Sequence, residues 1–186
     1  MIQSFFKGVG HLSNQGKDTV RIQVTLIKDL TNVIIPFFDN YPLITKKRAD
    51  FLLFKMIIEL MNEGAHLTTE GLTKIVSLKA SMNNGLSDKL KTQFTNIIPV
   101  DRSAVVFKDI PDLHWLAGFT EAEGCFFVGI KKSSHKSGFA VELQFSITQH
   151  SRDYKLLECF IIYLGCGNFY SPSGYNHGKI RCDKIF

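Results

Sequence analysis

Residues 116–124 have the sequence Leu-Ala-Gly-Phe-Thr-Glu-Ala-Glu-Gly, and this stretch decides the fold of the chain. Gly118 and Ala122 are four residues apart, so on a helix they share a face that a second helix can approach closely. Glu123 falls in the last turn, where the negative end of the helix dipole disfavours a carboxylate by about 0.3–1 kcal/mol unless a cation compensates. Gly124 is expected to end the helix in a left-handed conformation. The nine residues therefore predict a helix that pairs with another helix and carries a cation site at its end.

Two strands are predicted to follow this helix, over 125–132 and 139–149, with the polar, glycine-containing turn SSHKSG between them. Side chains of the second strand alternate between two kinds of residue, as expected for a strand with two different faces. The apolar positions predict a core face: Val141, Leu143, Phe145 and Ile147. The polar positions predict a face that meets water or a ligand: Glu142, Gln144, Ser146 and Thr148.

The remainder of this half is predicted to form a helix over 154–164 and two strands, over about 167–171 and 179–186. From the helix at 114–123 onward, the predicted order is therefore helix, hairpin, helix, hairpin. Such an order of helices and hairpin-connected strands is typical of an α+β fold with antiparallel sheet.

Two helices are predicted in the first half of the chain, over 46–62 and about 69–83, from apolar residues at three- to four-residue spacing. Thr68 or Thr69 is expected to cap the start of the second. The stretch 96–112 contains two prolines and has no helical period, so it is interpreted as a linker.

An internal repeat relates the end of the chain to its beginning. Residues 157–186 resemble the first residues, because in both places an apolar helix end leads into Gly-x-Gly, a strand, a polar turn and another strand. The glycines are Gly8 and Gly10 in one copy and Gly165 and Gly167 in the other. The repeat predicts two similar modules.

On this interpretation the chain begins within one module and stops within the next. Segments equivalent to residues 113–156 and 26–95 are then expected to lie before Met1 and after Phe186, respectively. The two modules of the printed chain are both predicted to be incomplete.

The composition is that of a globular chain with a basic excess: 186 residues, 45% hydrophobic, a formal net charge of +5 and a pI near 9.0. The charge favours a polyanionic partner such as nucleic acid. The cysteines show no paired CxxC spacing, which argues against a zinc ribbon or a disulfide framework. No apolar run approaches the ~20 residues that span a bilayer, and no secretory signal opens the chain, so no membrane partner is expected.

The stretch 116–124, together with the strands that follow it, resembles the signature of the LAGLIDADG family of homing endonucleases, in its two-motif, intron-encoded form. The resemblance implies an α+β fold built from modules with twisted antiparallel sheets and flanking helices. In these terms, 1–95 is the C-terminal part of a first module without its acidic helix. Residues 96–112 form the linker, and 113–186 are the N-terminal part of a second module.

The resemblance also implies an activity, which is metal-dependent hydrolysis of phosphodiester bonds in a long double-stranded DNA site. Glu123 matches the acid that holds Mg²⁺ or another divalent cation, and the backbone carbonyl of Ala122 would be a second ligand. Gln149 matches a polar residue that positions solvent. Lys47 or its neighbour Lys46 matches a basic residue near the reacting phosphate. The alternative for Glu123 is a solvated helix end, and for the lysine a surface position at a helix start.

The family's sheet lies in the major groove of DNA, and the polar strand faces of this chain fit that role. The residues implied in DNA contact are Lys131, Lys132, Ser134, His135, Lys136, Glu142, Gln144, Ser146 and Thr148 in the central hairpin, Lys17, Arg21, Gln23 and Thr25 near the start, and Lys179, Arg181 and Lys184 near the end. Any one of them could instead be a solvated surface residue. Together they predict a hydrogen-bonding and mostly basic strand face.

The sequence departs from the family in one respect, because it contains one acidic helix where the family needs two. The chain alone is therefore expected to be weakly stable and inactive until a complementary half is supplied. Two alternatives stay open: a maturase that binds intron RNA, and a degenerate, non-catalytic DNA-binding remnant. The resemblance and a codon-like bias toward Lys, Phe and Ile imply a mitochondrial location.

Overall fold

The structure is a computed structural model that describes residues 2–103, 109–170 and 177–185; in the last strand it describes the side chains of 179–181. The chain forms two compact units, divided between residues 105 and 106. This division falls inside the stretch predicted as a linker. The assignment of the units to particular modules stays a prediction.

The first unit combines a short hairpin with a set of helices. Its elements are α1 (Ile2–Phe5), β1 (His11–Asn14), β2 (Val20–Gln23), α2 (Ile27–Asp29), a π-helical turn (Leu30–Ile34), α3 (Ile35–Asn40), α4 (Lys47–Asn62), a 3₁₀ turn (Ala65–Leu67), α5 (Thr69–Ala80) and α6 (Asp88–Gln93).

Its core forms where α4 and α5 pack together. Leu53 of α4 meets Leu78 of α5 and Met82 beyond it, and the partly buried Val100 packs against this cluster. The Thr68 side chain accepts a hydrogen bond from the backbone N–H of Gly71, so it provides the predicted cap of α5.

Two details of these helices differ from the prediction. α5 ends at Ala80 instead of near residue 83, because Asn83 takes a left-handed conformation, with φ 47°, that a helix cannot include. The apolar spacing that predicts these helices includes Met61 and Leu72, but they are exposed by 38% and 40% instead of buried.

The helices over 27–40 and 88–93 were not predicted from the sequence. In the first, Pro36 follows the π-helical turn Leu30–Ile34 directly and so lies within a continuous helical stretch, where a proline ordinarily argues against a helix. In the second, the Ser87 side chain accepts a hydrogen bond from the backbone N–H of Leu90 and caps the short helix. An interior proline and a single serine cap are poor guides to these helices from sequence.

The second unit follows the predicted order of helix, hairpin, helix, hairpin. Its elements are α7 (Leu113–Glu123), β3 (Gly124–Lys132), β4 (Phe139–His150), a 3₁₀ turn (Ser151–Asp153), α8 (Tyr154–Leu164), β5 (Asn168–Tyr170) and β6 (His177–Ile185). The four strands form one antiparallel sheet in the order β3-β4-β6-β5. The predicted α+β class is confirmed.

The core of the second unit lies between α8 and the sheet. Leu157 and Phe160 of α8 are completely buried with Ile147 of β4, and Ile180 of β6 is 1% exposed. Phe160 also continues an aromatic stack from α7, where the rings of Trp115 and Phe119 lie 4.9 Å apart. Apolar burial and ring stacking together fix α7 and α8 against the sheet.

Gly124 does not act as the predicted left-handed stop. Its φ of −82° and ψ of 152° are extended, and β3 begins at this residue directly after α7. A side chain here would collide with the backbone carbonyl oxygen of Thr120 in the preceding turn. Close approach of strand and helix, rather than a positive φ, is thus what requires glycine at this position.

The two copies of the repeat share their backbone geometry. Gly8 and Gly10 have positive φ, as do Gly165 and Gly167, and each pair precedes an antiparallel hairpin. Among the described residues, none of the helices combines the length and the hydrophobicity that crossing a bilayer would need.

Candidate functional site

The register of the four-stranded sheet assigns its side chains to two faces. Strand residues that pair directly share a face, and every second residue along a strand returns to it. By the pairs Lys131–Ala140, Ser146–Arg181 and Thr148–Lys179, one face carries most of the polar side chains, together with the exposed Phe127 opposite Gln144 and the buried Ala140. The polar members of this face, called here the polar face, are Lys131, Glu142, Gln144, Ser146, Thr148, Lys179 and Arg181. The predicted division of β4 into a polar and an apolar face is confirmed by the register.

Glu142 lies at the centre of the polar face and is held by cations from both neighbouring strands. One carboxylate oxygen is 3.0 Å from Nζ of Lys131, and the other is 2.6 Å from a guanidinium nitrogen of Arg181. The hydrogen bond from Lys131, with a smaller contribution from Arg181, holds the pKa of Glu142 below its ordinary value of 4.5. The three residues, called here the cross-strand triad, therefore carry one net positive charge.

Ser146 lies on the polar face but is only 2% exposed, which contradicts its predicted surface position. The side-chain amide of Gln144 lies 3.4 Å from the Ser146 hydroxyl. Arg181 pairs with Ser146 and extends along the sheet to reach Glu142, four residues away on β4. These longer side chains leave the serine beneath them, whereas Thr148 stays exposed.

The turn between β3 and β4 is polar and exposed, as predicted. Lys132 is the last residue of β3, and Ser134, His135 and Lys136 are all exposed in the turn. Lys184 lies opposite Leu143 in the register, so its position belongs to the other face from Lys179 and Arg181, and the prediction that the three share one face is wrong; its side chain is outside the described residues.

The other face of the β3–β4 hairpin is apolar but is not the closed core that was predicted. Ile147 is buried under α8, whereas Val141 and Leu143 are exposed by 39% and 44%. On β3, Val128 and Ile130 of the same face are exposed by 63% and 71%. On this face of β4, burial by α8 is therefore limited to the C-terminal part of the strand, around Ile147.

α7 has an open face made of small residues. Gly118 and Ala122 are both exposed, and a side chain added at Gly118 would meet no atom within 4 Å. The opposite face of the helix is occupied by Leu116 and by the Trp115–Phe119 ring stack. A second helix could approach the open face at the short distance that glycine and alanine permit.

Glu123 is exposed at the last position of α7, immediately before β3. Carbonyl groups of a last helical turn lack intrahelical partners, so the Ala122 carbonyl can serve as a ligand beside the Glu123 carboxylate. Oxygen donors of this kind suit Mg²⁺, which binds through one or two carboxylates and completes its shell with water and substrate phosphate. Across the described ranges, no group of three or more His, Cys, Asp or Glu forms a self-sufficient metal site.

Gln149 lies near the same end of the sheet. Gly124 and Ile147 form the first pair between β3 and β4, and Gln149 extends two residues past that pair. The half-buried Gln149 is therefore on the strand that continues beside the end of α7.

The hairpin of the first unit carries a smaller polar face. Arg21 and Gln23 pair with Ser13 and His11, respectively, and both are exposed. Lys17 lies in the turn between the strands, and Thr25 follows the end of β2, so neither belongs to the paired strands.

Lys47, at the start of α4, belongs to a second cluster of charged residues. Its Nζ donates a hydrogen bond to the side-chain oxygen of Asn83 at 3.0 Å and lies 3.8 Å from Asp50. The buried Asp50 carboxylate also accepts hydrogen bonds from Arg102 at 3.0 Å and from the backbone N–H of Asn83 at 2.9 Å. Asp50 and Arg102 are not among the residues predicted from the sequence, although a carboxylate one turn before Leu53 on a core-facing helix indicates a buried ion pair.

Comparison with known families and proteins identifies what this chain resembles. The profile of the family described as LAGLIDADG endonuclease matches residues 1–58 and 116–184. The protein named "Probable intron-encoded endonuclease 3" of Neurospora crassa is 41% identical over 177 residues, which cover 94% of this chain and 33% of that protein. A 50.9 kDa protein in ND4 intron 1 of Podospora anserina is 45% identical over 67 residues, covering 36% of this chain and 14% of that protein.

The solved structures that match include DNA complexes. The I-SmaMI LAGLIDADG homing endonuclease bound to cleaved DNA is similar with a TM-score of 0.95 at 45% identity, over 98% of this chain and 61% of that chain. I-SmaMI bound to uncleaved target in the presence of calcium ions gives the same TM-score at 44% identity, over 98% of this chain and 63% of that chain. The chain thus spans about a third of the Neurospora relative and about three fifths of the solved enzyme.

Proposed function

The chain belongs to the LAGLIDADG endonuclease family, and on that premise we propose that it is part of a homing endonuclease for a long double-stranded DNA site. The observation that carries this proposal is the polar face of the four-stranded sheet. It presents Lys131, Thr148 and Lys179 together with Arg181 on one surface. The major groove of B-DNA is wide enough to admit a two-stranded ribbon, so such a face can lie along base edges and phosphates.

Glu123 is proposed as the catalytic acid that holds the metal ion, with the Ala122 carbonyl beside it. Its exposed position at the end of α7 leaves both groups accessible to a phosphate of bound DNA. Mg²⁺ is the proposed physiological ion, and when bound it would lower the pKa of a water molecule and stabilise charge on the leaving oxygen. Gln149 is proposed to orient solvent near that end of the sheet.

Lys47 is proposed to contact a phosphate through its ammonium group. Its side chain is 62% exposed, and the hydrogen bond to Asn83 fixes the direction in which it leaves α4. A fixed ammonium can stabilise negative charge at a reacting phosphate without reorganising.

A complementary half that supplies a second acidic helix is proposed to dock on the open face of α7. Gly118 and Ala122 permit the close helix approach that would bring the ends of two such helices together. Because a match occurs in an ND4 intron, we also propose that the protein acts in mitochondria.

The central test of this function is metal-dependent cleavage by a complete two-helix enzyme that contains residues 1–186. Duplexes are first selected from a randomised library, and their cleavage is then measured with and without Mg²⁺. Glu123→Gln is expected to slow cleavage by at least about 100-fold, because the metal loses its carboxylate. Glu121→Gln is the matched control, since it removes an exposed carboxylate from the same helix turn. Equal cleavage by the Glu123 variant and wild type would refute the assigned role.

The same preparation separates a DNA function from an RNA function. Structured intron RNA and selected duplex DNA compete for binding to the wild-type complete enzyme. The salt concentration is kept the same, because phosphate contacts make both affinities strongly salt-dependent. Stronger binding of duplex DNA is expected. Preferential binding of RNA would contradict the endonuclease proposal and support a maturase function instead.

A further inference from the structure

The cross-strand triad joins three strands of the sheet through one carboxylate. Glu142 is on β4, Lys131 on the preceding strand β3 and Arg181 on β6. The Glu142 side chain is 15% exposed, whereas the Lys131 and Arg181 side chains are 53% and 32% exposed. The acid thus lies deeper in the face, and the two cations lie above it.

This arrangement orients two groups that would otherwise be flexible. Long Lys and Arg side chains lose conformational entropy when they bind a ligand, and a partner that holds them beforehand reduces that loss. An ammonium has three N–H groups and a guanidinium has five, so the contacts with Glu142 use only part of the donor set of each cation; Nε of Arg181 is buried, so its terminal nitrogens are the ones nearer to a ligand. Glu142, by contrast, has each oxygen paired with a cation and is only 15% exposed, so its lone pairs are less accessible than the donors above them.

The remaining donors fit one kind of base edge in the major groove. Guanine presents two adjacent acceptors there, O6 and N7, and Arg or Lys donating to both is the commonest specific contact. Cytosine presents a donor, which needs an acceptor such as a free carboxylate. Glu142 is not a free carboxylate, because it is paired with two cations and is only 15% exposed beneath them.

We propose that Lys131, Glu142 and Arg181 form a guanine-recognition element in which Glu142 is the positioning residue and the two cations contact one or two neighbouring guanines. This inference rests on the proposed binding of DNA to the polar face. It assigns a sequence preference to residues that could otherwise contact phosphates without discrimination.

The test compares wild type with two variants that gain the same charge. Glu142→Gln removes the acid of the triad, and Glu70→Gln removes an acid that pairs with Lys74 at 2.7 Å on the exposed surface of α5 in the first unit. Each version of residues 1–186 is placed in the complete two-helix enzyme, and the enzymes select duplexes from a randomised library at the same salt concentration. Wild type and Glu70→Gln are expected to prefer guanine at one or two neighbouring positions by about tenfold. Glu142→Gln is expected to lose the guanine preference at these positions and to keep the preferences at all other positions.

A second measurement uses only the wild-type complete enzyme, so it remains decisive if a variant does not fold. Guanine at the preferred positions is replaced by 7-deazaguanine, which lacks the N7 acceptor. Affinity is expected to fall several-fold there and to stay unchanged when other guanines are replaced.

Two results would overturn the proposal while leaving DNA binding intact. The Glu142→Gln variant could retain the full guanine preference, or it could change affinity equally at all positions, which would place the cations on phosphates. Failure of the wild-type complete enzyme to enrich any duplex is a different result, because it would refute the proposed function together with this inference.

Discussion

Two carboxylates in this chain each lie between two cations, but they are built into their surroundings differently. In the first unit, Asp50 pairs with Lys47 and Arg102 and also accepts a backbone hydrogen bond from Asn83. In the second unit, Glu142 pairs with the side chains of Lys131 and Arg181. Asp50 joins a helix to two loops, whereas Glu142 joins side chains on one face of a sheet.

The difference indicates which cluster stabilises the fold and which is available to a ligand. The Asp50 side chain is 8% exposed, and it satisfies a backbone donor that would otherwise be unpaired beneath the surface. The strands that carry Glu142 are already held by their backbone register and by the core under α8. We therefore expect loss of Asp50 to destabilise the protein and loss of Glu142 chiefly to alter binding.

The largest expected effect is on the stability of the first unit. Asp50→Asn should lower the free energy of unfolding by about 3 kcal/mol, because it removes the charge from a buried and hydrogen-bonded ion pair. Denaturant unfolding measures the loss. Asp88→Asn is the control, since that carboxylate is 98% exposed and its removal should cost less than about 0.5 kcal/mol. Equal losses for the two variants would show that Asp50 has no special structural role.

A double-mutant cycle sharpens the comparison between the clusters. Asp50→Asn combined with Arg102→Gln should give a coupling energy of about 1–2 kcal/mol, as expected for groups that share a buried hydrogen bond. The corresponding cycle for Glu142 and Arg181 should give a smaller stability coupling, because its members are nearer to solvent. A larger coupling energy for Glu142 and Arg181 than for Asp50 and Arg102 would contradict the account, because it would give the structural role to the cluster in the sheet.

Lys47 offers a narrower test within the Asp50 cluster. Lys47→Met keeps the aliphatic stem of a 62% exposed side chain, so it should change the free energy of unfolding by less than about 0.5 kcal/mol. In the proposed enzyme it should nevertheless slow DNA cleavage. A stability loss as large as that of Asp50→Asn would place the lysine in the structural part of the cluster.

The smallest expected effect is the pH dependence of the Glu142 contribution. The folded state lowers the pKa of Glu142 below 4.5, so its stabilising contribution is complete above that value and is lost as pH falls through the folded pKa. The stability difference between wild type and Glu142→Gln should thus be constant at neutral pH and shrink in acid. A difference that grows on acidification would contradict the ion pairing.

Local patterns predicted the second unit closely. The acidic helix, the alternation of β4 and the helix at Tyr154–Leu164 depend on neighbouring residues, and the structure contains all three. Ser146 was misplaced, because its burial depends on the reach of Arg181 from a distant strand.

The first unit was less predictable for a related reason. The pairing of Asp50 with Arg102 joins residues far apart in sequence, so no periodicity indicates it. The helices over 27–40 combine an apolar run with a proline, which conceals their period. At Gly124, sequence indicated that glycine was needed but not that a close helix–strand approach was the cause.

Metal binding at the end of α7 can be measured without relying on cleavage. The complete enzyme containing residues 1–186 is bound to selected duplex, and Mn²⁺ binding is followed by electron paramagnetic resonance for wild type, Glu121→Gln and Glu123→Gln. Wild type and the Glu121 variant should bind Mn²⁺ in the DNA complex, and the Glu123 variant should bind at least about tenfold more weakly. Undiminished binding by Glu123→Gln would contradict the central claim that this carboxylate holds the metal.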